Sequence, residues 1–199
     1  MRSLALFMTL LFTCASGALA ASPPTSAPPA EVPGAGTEVP FARTLELHGI
    51  RFAVSDDRRS ATVTITPSGL EIDNSPVTRP IEGRVKDAEV ADLNVDQSPE
   101  IYVYLTSDGG DSLVALSANK RKSLSDIYLP PLDETPGAAV GYRGQDAFAV
   151  GEGRLLRRFP IYRDGDADTD PTGGMRQLQY GLEPGEAGWR LVVDQVLAY

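Results

Sequence analysis

Turn residues interrupt this chain at short intervals from residue 41 onward, and the segments between them have the character of β-strands. Gly49, the triplet Pro67-Ser68-Gly69 and the triplet Asn74-Ser75-Pro76 each separate short runs in which apolar and polar residues alternate. No window of a dozen residues carries the apolar stripe of an amphipathic helix. The sequence therefore predicts an all-β, mostly antiparallel fold, either a β-sandwich or a flattened barrel of about eight to ten strands.

The segments with the clearest strand pattern are residues 41–47, 50–54, 61–66, 101–106, 113–118, 147–150, 155–162, 175–182 and 189–198. A further strand is expected at residues 70–73, after a turn, and a short apolar segment lies at residues 125–129. Residues 81–90 are ambiguous, and we interpret them as a strand because Gly83 disfavours a helix.

The strongest of these patterns predicts a β-hairpin within residues 91–119. Ile101, Val103 and Leu105 alternate with two tyrosines and a threonine, which is typical of a half-buried strand. The residues between this strand and the next are small and polar: Ser107, Asp108, Gly109, Gly110, Asp111 and Ser112. Such a composition is that of an ordinary hairpin connection, and it also suits an exposed loop that inserts into a partner.

The first 40 residues have a different composition. Arg2, an apolar run over residues 4–15 and the triplet Ala18-Leu19-Ala20 predict a signal peptide at residues 1–20, cleaved near Ala20. Residues 21–40 are interpreted as a Pro/Ala-rich linker, and residues 41–199 as a single β-sandwich domain. We expect a periplasmic or secreted protein that is soluble rather than lipid-anchored, because no small residue directly precedes Cys14.

Composition excludes several classes of function. Cys14 is the only cysteine and lies within the predicted signal peptide, so the mature chain can have neither disulfides nor zinc thiolate sites. Lys and Arg number 18 against 27 Asp and Glu, a net charge of −9, which disfavours nucleic acid and membrane partners. The oligomeric state is left open, a homodimer included.

The chain offers no nucleophile signature and no cofactor motif. His48 is the only histidine, and no Gly-x-Ser-x-Gly sequence accompanies it, so a structural or exposed role is expected. A pair of carboxylates would suffice for glycoside hydrolysis, but in a chain this acidic such a pair has no specificity. We therefore predict that the protein is not an enzyme and assign it no catalytic residue and no cofactor.

Two acidic loops resemble calcium-binding turns. Asp92, Asn94 and Asp96 place oxygen atoms at alternate positions, with Glu100 further on, as a calcium loop requires. Residues 164–170 repeat the spacing without a closing carboxylate. Asp and Asn also form side-chain turns with no metal present. From sequence we assign no metal and leave calcium binding open.

Several sequence blocks resemble one known family. They are DLNVD at residues 92–96, PEIYVY at 99–104, SAN at 117–119, GYRG at 141–144, RRFPIY at 157–162, TGG at 172–174 and RQLQY at 176–180. Together they are similar, in the same order, to the periplasmic inhibitors of invertebrate-type lysozyme. The resemblance implies an exported bacterial defence protein of β-sandwich type that inserts a loop into the lysozyme's active-site cleft and has no catalysis of its own.

The inserting loop is also where this chain departs from that family. The family loop carries a Ser-Gly-x-Tyr sequence, whereas here Asp111 or Ser112 stands where the tyrosine is expected. The resemblance thus implies that residues 107–112 block an invertebrate-type lysozyme or a related wall hydrolase. The alternative is a non-inhibitory envelope binding module of the same fold, calcium-stabilised or not, with a different protein or a glycan as ligand.

Overall fold

The computed structural model describes residues 39–186 and 188–199. The predicted signal peptide, and the predicted linker up to residue 38, lie outside the described residues. The regular secondary structure of the described residues is almost all β, arranged in two sheets, which confirms the predicted all-β fold class; the twelve strands exceed the eight to ten expected. Two short 3-10 turns, Asn119–Arg121 and Leu132–Glu134, are its only helical elements within the described residues.

The first sheet has four strands in chain order: β1 (Ala42–Leu47), β2 (Ile50–Asp57), β3 (Thr62–Ser68) and β4 (Val77–Pro80). The expected strand at residues 70–73 is wrong. The Asn74 side chain accepts a hydrogen bond from the Leu70 amide and donates one to the Leu70 carbonyl, both at 2.9 Å. Because this local pairing occupies the backbone groups that a sheet would use, the chain turns here and the strand forms later.

The second sheet has eight strands. They are β5 (Arg84–Ala91), β6 (Glu100–Ser107), β7 (Gly110–Ser117), β8 (Ser125–Tyr128), β9 (Ala147–Gly151), β10 (Arg154–Pro160), β11 (Met175–Pro184) and β12 (Trp189–Ala198). Their spatial order is β5-β6-β7-β8-β12-β11-β10-β9. Neighbouring strands run antiparallel except β8 and β12, which run parallel.

This second sheet curls until its two ends meet, so that it is nearly a closed barrel. The Val150 amide in β9 donates to the Glu89 carboxylate in β5 at 2.8 Å. Gly110, at the start of β7, forms a parallel bridge with Asp146 just before β9. The first contact joins β9 to the strand at the opposite end of the sheet, and the second joins the segment before β9 to β7, so the two edges of the sheet are brought together.

Strand β6 is buried on both faces and links the two halves of the core. Ile101, Val103 and Leu105 pack against the four-stranded sheet, with partners such as Phe52 and Ile65. Tyr102 and Tyr104 point the other way, into the curled sheet, where Phe159, Tyr180 and Leu191 are also buried. The alternation predicted a half-buried strand, but here both sets of side chains lie in a core. No helix in the part of the chain described is long and apolar enough to span a membrane.

Candidate functional site

The connection between β6 and β7 is tighter than the sequence predicted. Ser107 pairs with Gly110 at the end of the ladder, so only Asp108 and Gly109 lie outside it. Residues 110–112, expected in the loop, belong to strand β7. Ser107, Asp108 and Gly109 are exposed to solvent. The exposed feature is therefore a two-residue turn rather than a six-residue loop.

A neighbouring segment holds this turn in place. The Gln145 amide donates to the Gly109 carbonyl at 2.9 Å, and the Gln145 side chain donates to the Asp108 carbonyl at 3.2 Å. The Asp111 amide donates to the Asp146 carbonyl at 2.8 Å. Because these bonds use backbone groups on both sides of the turn, its position is fixed without any partner.

Asp111 does not project from the turn. Its carboxylate forms an ion pair with the Lys86 amine at 2.6 Å, and its side chain is only 6% exposed. Lys86 lies at an irregularity in β5, where Val85 and Asp87 pair with successive residues of β6 and leave it without a partner of its own in the ladder. Such a bulge redirects a side chain, here toward β7. Asp108 is thus the carboxylate that the turn presents to solvent, while Ser112 is an exposed residue of β7.

A cleft of about 1230 Å³ lies behind the turn. One wall is the start of β7, from Gly110 to Leu113, and the other walls come from β8, β9, β10 and β12 and from the loops before β9 and β12. Its aromatic lining residues are Tyr128, Tyr142, Phe148 and Trp189. Tyr128 is 53% exposed, so part of this aromatic surface is open to solvent. The lining also includes several charged side chains, among them Asp126, Asp146, Arg157 and Arg190. A concave surface with aromatic and polar groups together is a candidate ligand site.

The polar groups in the cleft wall centre on Arg157. Its Nε donates to Asp146 Oδ1 at 2.7 Å, and a terminal nitrogen donates to the Tyr142 hydroxyl at 3.2 Å. The Tyr142 hydroxyl in turn donates to Asp146. The guanidinium also lies 5.6 Å from the ring centre of Phe148 and 5.8 Å from that of Phe159. Burial, followed by the hydrogen bond to Asp146, raises the pKa of Tyr142 and keeps its hydroxyl protonated as the donor.

The first of the two predicted acidic loops brings its carboxylates together. Oxygen atoms of Asp92, Asp96 and Glu100 lie within 4.8 Å of one another. Glu100 is fully buried. Burial, reinforced by the charges of Asp92 and Asp96, raises its pKa to about 8. His48 lies beside this cluster, with its Nε2 3.1 Å from Asp92 Oδ2.

The second acidic loop does not assemble such a cluster among the described residues. Asp166 instead accepts hydrogen bonds from the Arg163 amide at 2.7 Å and from the Thr172 amide and hydroxyl, each at 2.8 Å. These bonds lower the pKa of Asp166. The aspartate therefore acts as the turn-forming residue that the sequence also allowed.

Sequence reasoning missed the residues that position the turn and the cleft. For Arg157 the alternation of the strand could have revealed that its side chain points inward. It lies on the same face of β10 as Leu155 and Phe159, which are both fully buried. An inward arginine needs an acidic partner, but nothing local identifies Asp146. Lys86 and Gln145 have no comparable signal.

On composition alone, the basic run at residues 120–122 is typical of a solvated turn. Arg121 instead donates to the carbonyls of His48 at 3.0 Å and Gln97 at 3.1 Å, so it joins the β1–β2 turn to the acidic loop. Its own carbonyl accepts a hydrogen bond from the Glu71 amide at 2.8 Å. Part of this run therefore has a structural role.

Searches with this chain found no matching family model, no significant match among curated proteins and none among solved structures.

Proposed function

We propose that the protein is an exported, non-catalytic inhibitor of an invertebrate-type lysozyme or a related wall hydrolase. In this proposal the turn formed by Asp108 and Gly109 enters the enzyme's active-site cleft. The observation that carries it is the clamped, exposed turn: Gln145 and Asp146 hold it by backbone hydrogen bonds while its outer surface stays in solvent. A loop fixed in advance loses little conformational entropy on binding, which favours affinity.

The sequence resemblance to lysozyme inhibitors also supports the turn as the surface that would meet the enzyme. The turn occupies the position of the family's inserting loop, between the PEIYVY and SAN blocks. The net charge of −9 favours the approach of a basic enzyme. At close range the charge of Asp108 would instead weaken binding, because a glycosidase cleft contains carboxylates that repel it.

Two carboxylates of the cleft, Asp111 and Asp146, are better explained as structural groups than as catalytic ones. Asp111 is paired with Lys86 and Asp146 with Arg157, and in both pairs the carboxylate side chain is less than a tenth exposed. Glycoside hydrolysis needs two carboxyl groups that face the substrate, one of them as a proton donor. Groups held in ion pairs within the fold suit that task poorly, so Asp111 and Asp146 do not make a catalytic pair.

An inhibition assay tests the proposal. The rate at which an invertebrate-type lysozyme clears a bacterial cell-wall suspension is measured with increasing concentrations of the purified protein. Chicken-type and goose-type lysozymes serve as controls. We expect the invertebrate-type enzyme to slow at micromolar protein and the controls to be unaffected. No inhibition of the invertebrate-type enzyme in that range would refute the proposal.

The cleft supports a second candidate function, the binding of a glycan. Its aromatic walls include the half-buried Trp189 and the exposed Tyr128, and Arg157 and Asp146 supply polar groups. Aromatic faces beside fixed hydrogen-bonding groups suit sugar rings. Titration with soluble cell-wall fragments, followed by the fluorescence of Trp189, the single tryptophan of the chain, and compared with Tyr128→Ala, would detect such binding. No fluorescence change in the wild type, or an equal affinity in Tyr128→Ala, would refute it.

A further inference from the structure

The connection between β5 and β6 contains a buried carboxylate that lacks one partner. Glu100 has no exposed surface. Its Oε2 accepts a hydrogen bond from the Leu93 amide at 2.9 Å, but its Oε1 is buried with no hydrogen-bond partner. A buried carboxylate oxygen left unpaired is costly, and native proteins nearly always pair such atoms with a donor or an ion.

The surroundings of Glu100 favour a cation as the missing partner. Asp92 and Asp96 each bring one carboxylate oxygen to within 4.8 Å of a Glu100 carboxylate oxygen. Ser117, directly opposite Glu100 in the β6–β7 pair, is also buried, and its hydroxyl oxygen has no hydrogen-bond partner. Three carboxyl groups this close, one of them buried, repel each other strongly unless Glu100 takes up a proton or a cation lies between them, and calcium titration distinguishes the two.

We infer that residues 92–100 form a calcium site in which Asp92, Asp96 and Glu100 supply the carboxylate ligands. Calcium–oxygen distances of about 2.3–2.6 Å place two ligand oxygens on opposite sides of one ion roughly 5 Å apart, which agrees with the spread of this cluster. The Asn94 side-chain oxygen, at the alternate position between the two aspartates, accepts the Asp96 amide at 3.3 Å.

The ligand chemistry selects calcium over other cations. All the ligands are hard oxygen atoms, whereas zinc sites use histidine and cysteine, and the one nearby histidine, His48, contacts Asp92 from outside the cluster. Magnesium demands near-ideal octahedral geometry and keeps most of its waters, so it suits a cluster of protein carboxylates less well.

The loop backbone holds the aspartates in position. Val95 and Gln97 have φ angles of 57° and 63°, in the left-handed region. These angles turn the Asp96 and Gln97 amides toward Asp92, whose carboxylate accepts them at 3.1 and 2.9 Å. Arg121 fixes the Gln97 carbonyl from the other side at 3.1 Å. The ligand positions are thus largely set before an ion binds.

This inference does not depend on the proposed function. The acidic loop precedes the first residue of β6, Glu100, whereas the turn follows the last, Ser107. An ion here stabilises the start of the hairpin and does not contact the turn. Inhibition without calcium binding, or calcium binding without inhibition, would separate the two proposals.

Calcium titration of the purified protein tests the inference. Binding is measured by isothermal titration calorimetry and by thermal unfolding, in chelator and then in calcium chloride up to about 10 mM, well above the Kd of weak extracellular sites. We expect one ion per chain and a Tm that rises with calcium concentration, as specific binding to the native state requires. An unchanged Tm together with no binding heat would overturn the site.

Three variants sharpen the test. Glu100→Gln removes the buried charge and Asp96→Asn an exposed one, so Asp96→Asn keeps the test valid even if Glu100→Gln folds poorly. Asp170→Asn makes the same change at an exposed position of the second loop. We expect calcium affinity to fall about tenfold or more in Asp96→Asn and to be lost in Glu100→Gln, because ligand charge sets affinity. Equal affinity in Asp96→Asn and wild type, or an equal loss in Asp170→Asn, would overturn the assignment.

Discussion

Gly110 and Asp146 are joined backbone to backbone, in a parallel bridge that ties the start of β7 to the segment before β9. Gly110 has a φ of 112°, and a Cβ at this position would lie 2.5 Å from the Asp146 nitrogen. Only glycine allows both the backbone angle and the close approach. The position of the candidate turn therefore depends on the absence of a side chain at Gly110.

Gly110→Ala should consequently destabilise the protein. The strained backbone and the clash together are expected to lower the free energy of unfolding by about 1–3 kcal/mol. Gly109→Ala is the matched control, because its Cβ would meet only the Ser107 hydroxyl, at 3.9 Å, and its effect should stay within about 0.5 kcal/mol. Urea denaturation measures both. Equal midpoints for the two variants would contradict the bridge as described.

The ion pair between Arg157 and Asp146 should be essential to stability. Arg157→Met leaves the Asp146 carboxylate buried without its cation, which is expected to cost about 3–5 kcal/mol. Arg154→Met, in the same strand, breaks an exposed pair with Asp194 and should cost less than about 1 kcal/mol. Chemical denaturation of both variants gives the comparison.

The double variant Arg157→Met/Asp146→Asn adds a check on the cause of that loss. The second substitution replaces the buried carboxylate with a neutral amide, so the double variant should be more stable than Arg157→Met alone. If the second substitution gave no recovery, the loss would come from side-chain packing and not from an unpaired charge.

Asp166 should make the loop over residues 163–172 sensitive to acid. Its pKa is lowered in the folded protein by the Arg163 amide, then by the Thr172 amide and hydroxyl. A lowered folded pKa means that the stabilisation is complete above the unfolded pKa of about 3.9 and is lost as the pH falls through the folded value. NMR titration of the Asp166 carboxyl and the Thr172 amide should show both changing together below about pH 4. An Asp166 pKa at or above the unfolded value would contradict these contacts.

Strand positions were largely predictable because they depend on local alternation and turn residues. Residues 101–106 satisfied both criteria and lie within β6. The failures have non-local causes. The loop at 107–112 shrinks to two residues because Gln145 and Asp146, far along the chain, pair with Gly109 and Gly110. No pattern near the hairpin encodes that contact.

In the candidate sites, too, the local features were predictable from sequence and the features that depend on distant residues were not. The spacing of Asp92, Asp96 and Glu100 predicted that their oxygens converge, since it is a local property of one loop. That Glu100 is buried with an unpaired oxygen follows from packing around β6 and was not predictable. Asp111 was expected to reach the partner, but the irregularity at Lys86 turns the two side chains toward each other.

The most direct test of the proposed function is the effect of Asp108 on lysozyme inhibition. Deleting residues 108–112 would remove part of β7, so single substitutions in the turn are more informative. The inhibition constant for an invertebrate-type lysozyme is measured for wild type and Asp108→Asn, with Asp170→Asn as the control for net charge. Because Asp108 would face the enzyme's carboxylates, Asp108→Asn should strengthen inhibition while Asp170→Asn leaves it unchanged. Equal inhibition by wild type and both variants would contradict insertion of the turn.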